Sequence, residues 1–123
     1  YHWATCPVDA TLSDGEILPI GDLAFQALET PGHAIGHLSF LLPRPEGDVL
    51  FSGDSVFHGG KILLQAIPDC SLWDYRRSIA RLRTLRVTTL LPGHQALVMR
   101  EGQQHIAAAE RAFAILLPPP NLV

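Results

Sequence analysis

Charge is scarce in this chain, and cysteine, methionine and long apolar runs are scarcer still. Nine basic and twelve acidic side chains make up 17% of 123 residues and leave a formal net charge of -3. With no cationic surplus to neutralise phosphates and no basic stripe or tail, nucleic acid is not expected as a partner. Two cysteines, Cys6 and Cys70, are too few for a disulfide framework and form no CxxC pair. They read as unpaired thiols of a reducing cytoplasm, with a single bridge between them left open. The longest apolar stretches, at 38–42 and 112–117, fall far short of the roughly 20 residues that cross a bilayer, so no membrane partner is expected. A GxSxG nucleophile elbow, internal repeats and low-complexity tracts are also missing. The chain opens on Tyr1 rather than Met with no leader before it, so its true N-terminus is expected to be missing or processed.

What remains is the composition of a folded domain: 47% hydrophobic residues and a mean hydropathy of +0.18, too apolar for a disordered segment. Turn signals at Ser13-Asp14-Gly15, Pro31-Gly32, 43–47 and Ser52-Gly53 cut the first half into runs of strand length. Strands are predicted at 17–20, 23–29, 37–42 and 48–51. The second alternates as a strand covered on one face, while the third, HLSFLL, reads as buried on both. The second half changes period. Ser71 is a suitable N-cap for a helix to about Leu85, with Asp74 at the third position and Trp73, Ser78, Ile79, Leu82 and Leu85 on one face. Arg76, Arg77, Arg81 and Arg83 are spread around that helix and read as a solvated surface rather than an anion site. A strand at 87–91 and a helix at 101–117, stopped by Pro118-Pro119-Pro120, complete an α/β layered order.

Of six histidines, three stand out by their setting. His33 follows a predicted strand and a Pro-Gly turn. Asp54 follows the apolar run DVLFSG, and His94 follows VTTLLPG with the same Pro-Gly entry. Metal-competent side chains at three strand ends are not required by core packing, and imidazole with carboxylate suits zinc and similar divalent ions. His37 opens a strand, so it is placed as a pocket-wall residue supporting the ligands. His58, on the glycine-rich loop HGGK, is placed at the mouth of the site, where Lys61 could meet an anionic group of a substrate. His2 and His105 read as structural, and Asp9, Asp14, Glu46 and Asp48 as solvated turn formers.

In this order, TPGHAIGHLSF, LFSGDSVF and TLLPGH resemble the second half of the metallo-β-lactamase superfamily, which includes glyoxalase II-like hydrolases. The resemblance covers about 14–94. It implies the C-terminal half of a four-layer αββα sandwich, with residues 1–123 forming a partial domain. It implies that His33 is the third histidine of one metal site, Asp54 the carboxylate bridging two ions and His94 the last histidine of the second site. The ions would be Zn2+, with Fe or Mn as alternatives. The family's upstream HxHxDH motif has no counterpart here, so the chain holds about half of a site and needs the missing N-terminal half of the domain as its partner. The implied activity is hydrolysis of a small-molecule ester, thioester or lactone-type carbonyl by a metal-bound hydroxide, with β-lactam and phosphoester hydrolysis also open. A glutathione thioester is disfavoured because only about thirty residues follow His94. An iron-bearing relative with oxygenase or redox chemistry, and a non-catalytic scaffold that binds a partner, are the alternatives.

Overall fold

The computed structural model describes residues 4–123; His2 lies outside them. Five strands form one sheet in sequence order: β1 (Ile17–Ile20), β2 (Leu23–Glu29), β3 (Leu38–Leu42), β4 (Asp48–Gly53) and β5 (Val87–Pro92). The first four form an antiparallel meander, and β5 joins β4 in parallel after a crossover through helix α1 (Leu72–Leu82). Helix α2 (Gly102–Ala114) packs on α1 and β5. This topology decides where the chemistry falls. Both β2 and β4 oppose β3, so they run the same way, and β5 follows β4. The C-terminal ends of β2, β4 and β5 and the start of β3 therefore share one end of the sheet. Those are the points where His33, Asp54, His94 and His37 leave it.

Side chains alternate across the strands and divide the sheet into two unlike faces. Leu28, Leu41, Leu50 and Leu90 point to the helical side. There they meet Tyr75, Ile79 and Leu82 of α1 and Ile106, Ala109 and Phe113 of α2. Leu50, Tyr75, Ile79, Leu82, Leu90 and Ile106 are fully buried, and each aliphatic one stabilises the fold by about 1.5–3 kcal/mol relative to exposure. The opposite face carries Leu18, Ile20, Phe25, Phe40 and Phe51, which line a shallow apolar hollow open to solvent. Phe25 and Phe51 meet edge to face at 5.6 Å.

The structure corrects several expectations. β3 is not buried on both sides: Ser39 and Leu41 are buried, whereas Leu38, Phe40 and Leu42 are only partly covered because nothing described packs on their face. On α1 the buried set is Tyr75, Ser78, Ile79 and Leu82, and Trp73 is 66% exposed with the Arg76 guanidinium over its ring. Ser71 does cap the helix, its hydroxyl accepting from the Asp74 N–H. α2 ends at Ala114, before the prolines, because Leu116 turns left-handed at φ 60° and the Leu117 N–H reaches back to the Ala112 carbonyl. Asp14 is more than a turn former. Both its oxygens accept from the Arg81 guanidinium, 67 residues away, and one also takes the Glu29 N–H. The two cysteines are free thiols.

Candidate metal centre

At the shared end of the sheet, Asp54 stands between two imidazoles. Its Oδ2 lies 3.5 Å from His33 Nε2 and its Oδ1 lies 3.6 Å from His94 Nε2. Such separations are long for charge-assisted hydrogen bonds, which run to about 2.7–2.9 Å. They leave room for an ion between the paired atoms. With zinc–nitrogen and zinc–oxygen bonds of about 2.1 Å, neighbouring donor atoms stand about 3.4 Å apart. One carboxylate oxygen faces each histidine, a donor set of the imidazole and carboxylate type that suits zinc. The set is incomplete: among the described residues no group of three or more His, Cys, Asp or Glu side chains is placed to hold an ion. His33 and Asp54 are largely covered, at 18% and 22% side-chain exposure, whereas His94 is 62% exposed. The Phe57 ring lies stacked beside His94, with ring centroids 6.4 Å apart.

His37 has both ring nitrogens engaged. Its Nε2 accepts the Asp54 backbone N–H at 3.0 Å, which leaves the ring proton on Nδ1, facing the Thr30 hydroxyl at 2.9 Å. Thr30 continues to Ser39, and Ser39 to the Ser52 carbonyl, so a buried polar chain runs from the ring into the sheet. Burial, then the neighbouring His33, pull the His37 pKa below its ordinary value and favour the neutral ring this arrangement requires. His33 is oriented from the other side: its Nδ1 meets the Leu63 carbonyl at 3.2 Å, leaving Nε2 for Asp54.

Residues that sequence reasoning left out hold these groups. Tyr75, spaced with Ser78, Ile79 and Leu82, was legible only as helix core. Its buried hydroxyl reaches the Asp54 carbonyl at 2.8 Å and the Leu63 carbonyl at 3.0 Å. Desolvation raises its pKa well above the ordinary 10.0, so the phenol stays protonated as a donor. A glycine also precedes each of His33, Asp54 and His94. A Cβ at Gly32 would lie 2.6 Å from the Tyr75 ring, one at Gly53 2.7 Å from His37 Nε2, and one at Gly93 2.7 Å from Asp54 Oδ1. The glycines thus allow these neighbours to close in.

Among the described residues, no hydrogen bond or ion pair ties the side chains of His58 and Lys61 to this centre. His58 lies on a short 3-10 turn (His58–Gly60), with its ring 4.7 Å from that of His105 on α2. His105 Nδ1 accepts the Gly59 N–H at 2.8 Å. Lys61 is half-buried at the end of that turn and has no ionic partner among the described residues.

Residues 5–94 match the sequence pattern described as the Metallo-beta-lactamase superfamily. The chain belongs to the metallo-beta-lactamase superfamily. Among curated relatives, it is 29% identical over 114 residues to a hydroxyacylglutathione hydrolase of Mesorhizobium japonicum, covering 93% of this chain and 39% of that protein. It is 27% identical to an atrochrysone carboxyl ACP thioesterase of Aspergillus fumigatus, covering 90% and 34%. A metallo-beta-lactamase family protein from Thermus thermophilus superposes with a TM-score of 0.67 at 29% identity, over 85% of this chain and 35% of that one. The chain thus spans a little over a third of the length of these members of the superfamily. Its five-stranded sheet with helices on one side is a metallo-beta-lactamase-type α/β arrangement. No helix among the described residues is long and apolar enough to cross a membrane.

Proposed function

We propose that this chain supplies one half of a two-ion metal centre in a hydrolase that cleaves acyl thioesters, and that residues 1–123 form a partial domain completed by a preceding half. The observation that carries the reading is the Asp54 carboxylate, each of whose oxygens faces the Nε2 of a different histidine. His33 and Asp54 would hold one ion, and Asp54 and His94 the other, with zinc favoured by the imidazole–carboxylate set. Bound ions would lower the pKa of a water into the neutral range and polarise the substrate carbonyl. The chain's own residues do the rest. His37 fixes the backbone of Asp54 through its Nε2, and Tyr75 holds the same residue through its carbonyl. Covering of His33 and Asp54 thins the water around the reacting atoms and strengthens local electrostatics. Lys61, without an ionic partner among the described residues, is available to an anionic group of the substrate from the turn that follows Asp54. The thioester class rests on the two curated relatives, whose names specify a hydroxyacylglutathione hydrolase and an ACP thioesterase.

The test is thioester hydrolysis by the complete protein. Turnover is expected to stop on chelation, to return with added zinc, and to fall at least about 100-fold in Asp54→Ala. Full turnover in the presence of chelator, or an unimpaired Asp54→Ala enzyme, would overturn the reading.

A further inference from the structure

A peptide unit offers its N–H and its carbonyl in opposite directions, so a clamp on one end aims the other. The unit between Leu63 and Leu64 is used in this way. Its carbonyl, on Leu63, receives His33 Nδ1 at 3.2 Å and the Tyr75 hydroxyl at 3.0 Å, with the Cys70 thiol at 4.0 Å. Its N–H, on Leu64, is taken by the Asn121 side chain: the amide oxygen accepts at 2.9 Å, and the amide nitrogen donates to the Leu64 carbonyl at 3.1 Å. Asn121 comes from the C-terminal tail, 57 residues further along the chain.

That tail runs beside the segment at 62–64 like an added strand. The Ile62 N–H bonds the Pro120 carbonyl at 3.1 Å, and the Leu122 N–H bonds the Ile62 carbonyl at 2.8 Å and Asn121 Oδ1 at 2.9 Å. The Asn121 amide thus takes the place of a peptide group in a ladder and pairs with Leu64 in both directions. Accepting the Leu64 N–H also polarises the same peptide unit and strengthens its carbonyl as an acceptor.

We propose that Asn121 is a positioning residue for His33: by clamping the Leu63–Leu64 peptide, it fixes the acceptor that holds the His33 proton on Nδ1 and leaves Nε2 free to bind metal. The proposal rests on His33 being a metal ligand. Its primary readout does not. The groups that hydrogen-bond the far nitrogen of a metal-binding histidine set its tautomer and ring orientation, and their loss lowers metal affinity by about 10–100-fold.

The experiment is nitrogen NMR of the metal-free complete protein, which reports the His33 tautomer directly, followed by zinc titration. In wild type, His33 is expected to carry its proton on Nδ1. Asn121→Ala is expected to give a mixture of tautomers and about tenfold weaker zinc binding. Asn121→Asp keeps an acceptor for the Leu64 N–H but sets an oxygen where the donor to the Leu64 carbonyl was, so it is expected to disturb the tautomer less than Asn121→Ala; an equal disturbance would overturn the role of the accepting oxygen. Leu122→Ala loosens tail packing without touching the amide and is expected to leave the tautomer unchanged. An unchanged tautomer in Asn121→Ala overturns the proposal, as does an equal disturbance in Leu122→Ala. If the tautomer responds as stated but zinc does not bind wild type, the clamp stands and the metal reading fails.

Discussion

Replacing Gly93 by alanine separates the metal centre from the fold. The added Cβ would lie 2.7 Å from Asp54 Oδ1, whereas its next neighbours, the carbonyl carbon and oxygen of Gly53, are at an ordinary 3.4 Å. Gly93 is not in the left-handed region, so the alanine backbone carries no strain of its own. The collision is therefore relieved by the end of one side chain, which must retreat by about 0.7 Å to reach ordinary contact. That shift exceeds the roughly 0.5 Å within which a metal-binding constellation must be held. It moves the oxygen that faces His94. Zinc affinity of the complete protein is expected to fall on the order of 10- to 100-fold, while stability of the metal-free protein changes by less than about 1 kcal/mol. Competition against a chromophoric chelator measures the first quantity, and urea unfolding the second. Zinc affinity within twofold of wild type would show that the Asp54 oxygen facing Gly93 holds no ion. A large loss of stability would show that the carboxylate alone does not absorb the collision.

Tyr75→Phe removes one buried donor from two carbonyls and is expected to cost about 1–3 kcal/mol in urea unfolding; an unchanged midpoint would contradict these bonds. Asp14→Asn is expected to cost about 0.5 kcal/mol at neutral pH, as an exposed bidentate pair with Arg81 is lost. Hydrogen bonding from Arg81 lowers the Asp14 pKa below its ordinary 3.8. The contribution is therefore present above that value and disappears as pH falls through the lower folded one, so the variant and wild-type stability curves should converge as pH falls below 3.8. The isolated 123-residue chain is expected to self-associate through Phe25, Phe40 and Phe51 on the open sheet face; a monomer in sedimentation with one cooperative melt would contradict this.

The strands, and the shared sheet end at which His33, Asp54 and His94 meet, were legible where local chemistry leaves a mark. Pro-Gly and Ser-Gly turns after apolar runs fixed the strand ends, and with them the places where His33, Asp54 and His94 emerge. What decides orientation was not legible, because it depends on residues that meet only in three dimensions. HLSFLL sets Leu38, Phe40 and Leu42 on one face and His37, Ser39 and Leu41 on the other, and it is the structure that buries the more polar face and leaves Phe40 on an open one. Trp73 and Tyr75 both suit an amphipathic helix, but the close approach of Gly32 to Tyr75 selects Tyr75 for the interior. His58 precedes a glycine pair that suggested a site mouth, yet it meets His105 from a helix that begins more than forty residues later. The triple proline reads as a helix stop, and nothing in it announces that Asn121 will reach Leu64.

The proposed role of Asp54 as a bridge between two ions is tested most directly by the zinc content of the complete protein, measured by elemental analysis for wild type and for Asp54→Ala. Wild type is expected to hold close to two equivalents and the variant to lose at least one, because the same carboxylate faces both histidines. Wild-type zinc content in Asp54→Ala would mean that the carboxylate bridges nothing.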